Sequence, residues 1–258
     1  MTVPALAFTP VIGDTDAPLV VLGCSLGTST ALWESTIPRL LDRYRVVTWD
    51  LPGHGDSPAA RAPFTVAELA DAVAAGVDEL GASRFHYAGV SLGGATGLEL
   101  LIRHPGRVAA AAIVASSACF GGAEAWRARA DLVRASSTAD LVEQSATRWF
   151  TPAAVDVAPE LVARLLQDLR DADDDSYALC CEALAAYDVR ADLSGITAPV
   201  LALWGASDPV VGEASAREIA DGVRTGTSAP IPDAAHLPPV ERPAEVAAHL
   251  NTFSAAHD

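Results

Sequence analysis

The sequence predicts an α/β domain, a mostly parallel sheet flanked by helices, and three observations predict it. Short apolar runs recur along the chain, each ending at a Gly, Asp or Ser. Those runs are near-continuous rather than alternating, the pattern of strands covered on both faces. The stretches between them are amphipathic and carry helix-end signals. Such strand–helix alternation places ligands at the carboxyl ends of the strands.

The strands, in order, are Leu19 to Leu22 ending at Gly23, and Arg45 to Trp49 ending at Asp50. Phe85 to Ala88 ends at Gly89, Ala109 to Val114 at a Ser pair, and Val200 to Trp204 at Gly205. A last run covers about Thr225 to Ile231. Among the helices, Thr65-Val66-Ala67-Glu68 is a capping box opening a helix that closes at Gly81. Leu92 to His104 stops before Pro105, which cannot continue a helix. Glu213 to Asp221 ends at Gly222, and Pro243 suits the first position of a final helix. From about Cys119 to Arg190 there is no strand pattern, only helical patterning such as Leu161 to Leu169 and Tyr177 to Ala186. A helical insertion of this length between two strands reads as a lid. The expected division is a core of residues 1–118 and 191–258 with a lid at 119–190.

Composition bounds the function. The 258 residues are 50% hydrophobic and 19% charged, which excludes a disordered chain. Seventeen basic residues, all Arg, stand against 33 acidic ones, for a net charge of −16. Phosphate binding needs a basic face, so no nucleic-acid partner is expected. No apolar run is long enough to span a bilayer, and the first residues lack a basic and apolar leader pattern. The four cysteines (Cys24, Cys119, Cys180, Cys181) form neither a disulfide framework nor a metal-ligand spacing. These features predict a cytoplasmic protein with no membrane partner, no metal and no cofactor; no dinucleotide or phosphate-loop fingerprint is present.

The informative string is Gly89-Val90-Ser91-Leu92-Gly93-Gly94, a G-x-S-x-G match between a predicted strand and a predicted helix. A sharp strand-to-helix turn strains the serine backbone and projects its hydroxyl at the strand end. Ser91 is the expected nucleophile. Of six histidines, His86 falls in a strand, His104 at a helix end, His249 in the last helix, His257 in the tail and His54 in a Gly-His-Gly loop. His236 follows the last strand and is the expected base. Asp208 directly follows the strand ending at Trp204, 28 residues before His236, enough for one helix and one strand. It is the expected partner of the imidazole; Asp50 reads as structural and Asp233 as a weaker alternative. Oxyanion donors are expected from the Leu92 N–H and from the loop after the first strand, at Leu26 or Ser25. Cys24, in the same loop, reads as a buried core thiol.

The elbow and the order Ser91, Asp208, His236 resemble the α/β-hydrolase superfamily. More narrowly, the chain resembles the 3-oxoadipate enol-lactonases. The strings that carry this likeness are Ser25-Leu26-Gly27-Thr28 with Leu32-Trp33, Gly53-His54-Gly55, the elbow with its double glycine, and Ala234-Ala235-His236-Leu237. Ala125-Trp126 and Arg148-Trp149-Phe150-Thr151-Pro152 add to it within the lid. The resemblance implies an α/β-hydrolase fold and a small-molecule substrate, an enol-lactone bearing a carboxylate, opened to a 3-oxo diacid in aromatic-acid catabolism. Among Arg127, Arg129, Arg134 and Arg148, Arg148 is the expected carboxylate contact, with Trp126 and Trp149 lining the pocket. Direct attack by water, with Ser91 only polarising, stays open. So do a carboxylesterase, a carbon–carbon bond hydrolase, a haloperoxidase-like esterase and a hydrolase-fold receptor with little turnover.

Overall fold

Five of the six strands are almost wholly buried, and their apolar sequences account for it: helices cover both faces of one parallel sheet. The computed structural model describes residues 3–257. In chain order the elements are β1 (Leu19–Gly23), β2 (Arg45–Trp49), α1 (Val66–Glu79), β3 (Phe85–Val90), α2 (Leu92–Arg103) and β4 (Val108–Val114). Five helices follow: α3 (Ala123–Ala135), α4 (Val142–Trp149), α5 (Pro152–Val157), α6 (Pro159–Asp171) and α7 (Asp174–Ala186). The chain then returns to the sheet with β5 (Val200–Gly205), α8 (Glu213–Gly222), β6 (Gly226–Ile231), α9 (Pro238–Glu241) and α10 (Pro243–Ala255).

The strand order is β2-β1-β3-β4-β5-β6, parallel throughout. Sequence order reverses at β1, so the loops after β1 and β3 leave the sheet beside each other and open a crevice at its carboxyl edge. The register sets them level, since Gly23 pairs with Gly89. β6 is the exposed edge, which is why Pro230 is tolerated inside it. At the other edge, residues the sequence left unassigned run antiparallel to β2 through bridges Phe8–Trp49 and Ile12–Val46. They cover a strand edge that would otherwise be open to pairing.

Local signals set the helix ends. The capping box forms in both directions: Glu68 N–H donates to Thr65 Oγ1 (3.1 Å) and Thr65 N–H to Glu68 Oε2 (2.8 Å). Gly81 follows the end of α1 at φ 73°, a left-handed position that favours glycine. Helices α3 to α7 all lie between β4 and β5. The two ends of this insertion meet at a narrow neck, where Cys119 bridges Asp188 and Val189 N–H donates to Ala118 O (2.9 Å). The short α9, immediately after the histidine loop, has no counterpart in the sequence reading.

Candidate active site

Ser91 is the single residue between β3 and α2, and it makes the turn with φ 55° and ψ −115°. A non-glycine residue held there costs about 1–3 kcal/mol and persists only when its surroundings over-determine it. Here they do. Ser91 N–H donates to Val114 O (2.9 Å), and Ser116 Oγ donates to Ser91 O (2.7 Å). Gly93 N–H donates to Cys24 O (3.1 Å), and the Tyr87 hydroxyl donates to Gly93 O (2.7 Å). A Cβ on Gly93 would sit 2.7 Å from Cys24 O, so only glycine lets α2 begin this close to the loop after β1. The Leu92 N–H belongs to the first turn of α2, where N–H groups lack an intrahelical acceptor and favour negative charge.

Asp208 and His236 come from the turns after β5 and β6, neighbouring strands whose loops therefore lie side by side. His236 Nδ1–H donates to Asp208 Oδ2 (2.9 Å). The other oxygen, Oδ1, accepts from Val210 N–H (2.7 Å) and Val211 N–H (3.2 Å). The imidazole side chain is 4% exposed and the carboxylate 0%, so water does not compete for this pair. With its Nδ1 proton committed, neutral His236 presents Nε2 as an acceptor.

A cavity of about 410 Å³ opens above these residues. Ser91, His236, Ser25 and Leu26 line it from the core, and Trp126, Arg129, Arg148, Trp149 and Tyr177 from the insertion. Most of the residues singled out in the sequence thus line one cavity; Leu92, next to Ser91 in the chain, and Asp208, bonded to His236, do not line it. Phe120, Tyr177 and Val210 also line it and carried no sequence signal, because the crossing of distant segments brings them there.

The four arginines separate cleanly. Arg127 is exposed and does not line the cavity. Arg134 is engaged by Glu182 and Asp175. Arg148 is exposed at the cavity wall in the last turn of α4. Arg129 lies deeper: its guanidinium stands over the rings of Tyr177 (5.6 Å to the centroid) and Trp126 (6.0 Å). Its Nε is buried with no hydrogen-bond partner, and among the described residues no carboxylate pairs with it.

Other titratable groups do structural work. Asp50 is held up to about 6 chiefly by burial, while its oxygens accept from Thr30 N–H (2.8 Å) and Asp56 N–H (3.0 Å). His54 is buried and lowered to about 4 by desolvation. Its Nδ1–H donates to Pro52 O (2.9 Å) and its ring stacks on Tyr177 (6.0 Å). Burial pushes the Cys24 thiol well above its ordinary value, which suits a packed core thiol and not a nucleophile. His104 pairs with Asp71 (2.8 Å) at the end of α2. Among the described residues no group of three or more His, Cys, Asp or Glu is arranged to hold a metal ion, and no helix is long and apolar enough to cross a membrane.

A Ser at a strained elbow, level with the first-strand loop and sharing a cavity with a carboxylate-bound His, defines a class. The chain belongs to the alpha/beta hydrolase fold family, whose model matches residues 17–243, and it is a hydrolase. It is 37% identical over 231 residues, 90% of this chain and 86% of the relative, to 3-oxoadipate enol-lactonase 2 of Acinetobacter baylyi. It is also 31% identical over 236 residues, 88% and 91% of the two chains, to a pimeloyl-acyl-carrier-protein methyl ester esterase of Aeromonas hydrophila. Among solved structures, an enol-lactonase from Burkholderia xenovorans superposes with a TM-score of 0.93 at 30% identity, covering 97% of this chain and 96% of the other.

Proposed function

We propose that this hydrolase opens a carboxylate-bearing enol-lactone, of the kind named for its enol-lactonase relatives, by acyl transfer through Ser91, His236 and Asp208. The observation that carries the chemistry is the buried 2.9 Å bond between Asp208 and His236, which turns Nε2 into an acceptor beside a cavity that Ser91 shares. On this reading His236 takes the Ser91 proton as the hydroxyl attacks the lactone carbonyl. The Leu92 N–H and an N–H of the Ser25–Leu26 loop hold the oxyanion. Ring opening releases an enolate, which protonates and becomes a ketone. His236 then activates water to release the acyl group from Ser91.

Arg129 supplies what the charged end of such a substrate needs. A guanidinium at a cavity wall, flanked by two aromatic rings, has already lost part of its hydration, so a carboxylate that reaches its outer nitrogens forms a charge-assisted bond. That local cation resolves the mismatch between an anionic substrate and a chain of net charge −16. Arg148, at the same wall, and Trp126 and Trp149 would frame the ring. Residues 119–190 act as the lid over the core of 1–118 and 191–258.

A second reading, a carboxylesterase for neutral acyl groups, draws support from the apolar wall of Phe120, Leu132, Leu141 and Val210 and from the methyl ester esterase relative. One experiment separates the two: 3-oxoadipate enol-lactone and p-nitrophenyl acetate offered to the wild type and to Ser91→Ala. The expected result is loss of the ultraviolet enol signal with wild type, preference for the lactone, and no turnover by the variant. Full activity of Ser91→Ala would overturn the mechanism, and preference for the neutral ester would favour the second reading.

A further inference from the structure

Glu241 closes α9, five residues after His236, and has no part in the chemistry proposed above. Its carboxylate joins two segments distant in the chain. Oε2 accepts from the N–H of Ala235 (2.6 Å), the residue preceding His236. Oε1 accepts from both the N–H (2.7 Å) and the hydroxyl (2.8 Å) of Thr151, in the link between α4 and α5. On the other side of the histidine, Leu237 N–H donates to Trp149 O (3.2 Å). Both neighbours of His236 are therefore tied, directly or through Glu241, to the stretch 149–151. That stretch begins with Trp149, part of the cavity wall.

We infer that Glu241 is a positioning residue, clasping the His236 loop to the Trp149–Thr151 stretch so that the imidazole and the aromatic wall take their places together. The inference rests on the reading of His236 as the base. Only a carboxylate meets the geometry, because both of its oxygens accept, one from Ala235 and the other from Thr151. An amide has one acceptor oxygen, so whichever way it turns, one of the backbone N–H groups at 151 or 235 loses its partner. Without the clasp the loop keeps the Asp208 bond at the imidazole but loses its anchor at Ala235. Misplacing a reacting group by about 1 Å costs on the order of a hundredfold in rate.

The test is Glu241→Gln, which preserves shape, and Glu241→Ala, with His236→Ala as a control. The measurements are kcat and KM for p-nitrophenyl acetate, the thermal midpoint, and the downfield proton resonance of the His236 Nδ1–H. The expected result is a kcat about ten- to a hundredfold lower with KM within about twofold of wild type. The downfield resonance should shift or broaden while near-ultraviolet circular dichroism stays native. Should Glu241→Ala fail to fold, Glu241→Gln carries the test. Wild-type kcat in a folded Glu241→Gln protein would overturn the inference, as would a loss that disappears wholly at temperatures where the variant is folded. Retained activity in His236→Ala would instead bring down the underlying reading, and this one with it.

Discussion

Replacing Arg129 with Met should shift substrate preference while leaving stability nearly unchanged. A substrate carboxylate bonded to a guanidinium gains about 1.5–3 kcal/mol. At about 1.4 kcal/mol per decade, its loss lowers kcat/KM for the enol-lactone by roughly ten- to a hundredfold. A neutral ester never made that bond, so its kcat/KM should change little. On the stability side, the substitution removes a buried Nε that has no partner, a burden of about 1–3 kcal/mol, and two cation–π contacts worth about 0.5–1 kcal/mol each. These terms nearly offset, and the Met side chain keeps most of the apolar stem. The thermal midpoint should then stay within a few degrees of wild type, given about 2–4 °C per kcal/mol at this size. The assay is paired: steady-state kinetics on the lactone and on p-nitrophenyl acetate, and a thermal melt of the same preparations. Equal losses on both substrates, together with a midpoint many degrees lower, would refute the reasoning and make Arg129 a pillar between Trp126 and Tyr177 rather than a receptor.

Two further predictions concern protons. Asp208→Asn should lower kcat by about 10⁴ while leaving the fold intact, because the two N–H groups of Val210 and Val211 hold the amide oxygen and turn its NH₂ toward His236. The imidazole would then keep its proton on Nε2, where it cannot accept from Ser91; a loss of less than tenfold would refute this. His54 gives a stability prediction. Its folded value of about 4 lies below the ordinary 6.5, so as pH falls from 6.5 to 4 the unfolded chain takes up a proton that the native chain does not, and about 3 kcal/mol of stability is lost. Asp50, raised to about 6, works in the opposite sense between pH 6 and 3.8, since the native carboxyl binds its proton first. His54→Gln should therefore gain on wild type by about 3 kcal/mol between pH 6.5 and 4 in urea titrations, and parallel curves would refute it.

The parts of this molecule that were readable in one dimension are those whose causes are local. Gly89, Ser91 and Gly93 mark the elbow because a positive-φ serine and a close helix start need glycine beside them. Thr65 and Glu68 mark a helix start because the box closes within four residues. Asp208 and His236 are legible because each follows a run that forms a strand, β5 and β6, and those strands pair side by side. By contrast, the antiparallel bridges of Phe8 and Ile12 and the short helix after His236 left no pattern, being fixed by what they pack on.

The choice among the arginines marks the boundary most clearly. Sequence alone determined a parallel α/β sheet, its elbow serine, and the loops that hold Asp208 and His236, because backbone strain, capping and apolar runs act over a few residues. Tertiary structure alone decided that Arg134 is spent on Glu182 while Arg129 stands over Tyr177 at the cavity wall, and that Glu241 reaches both Ala235 and Thr151. Ionic and hydrogen-bonding partners act over a few ångströms of space, and which side chains come that close depends on how helices far apart in the chain cross.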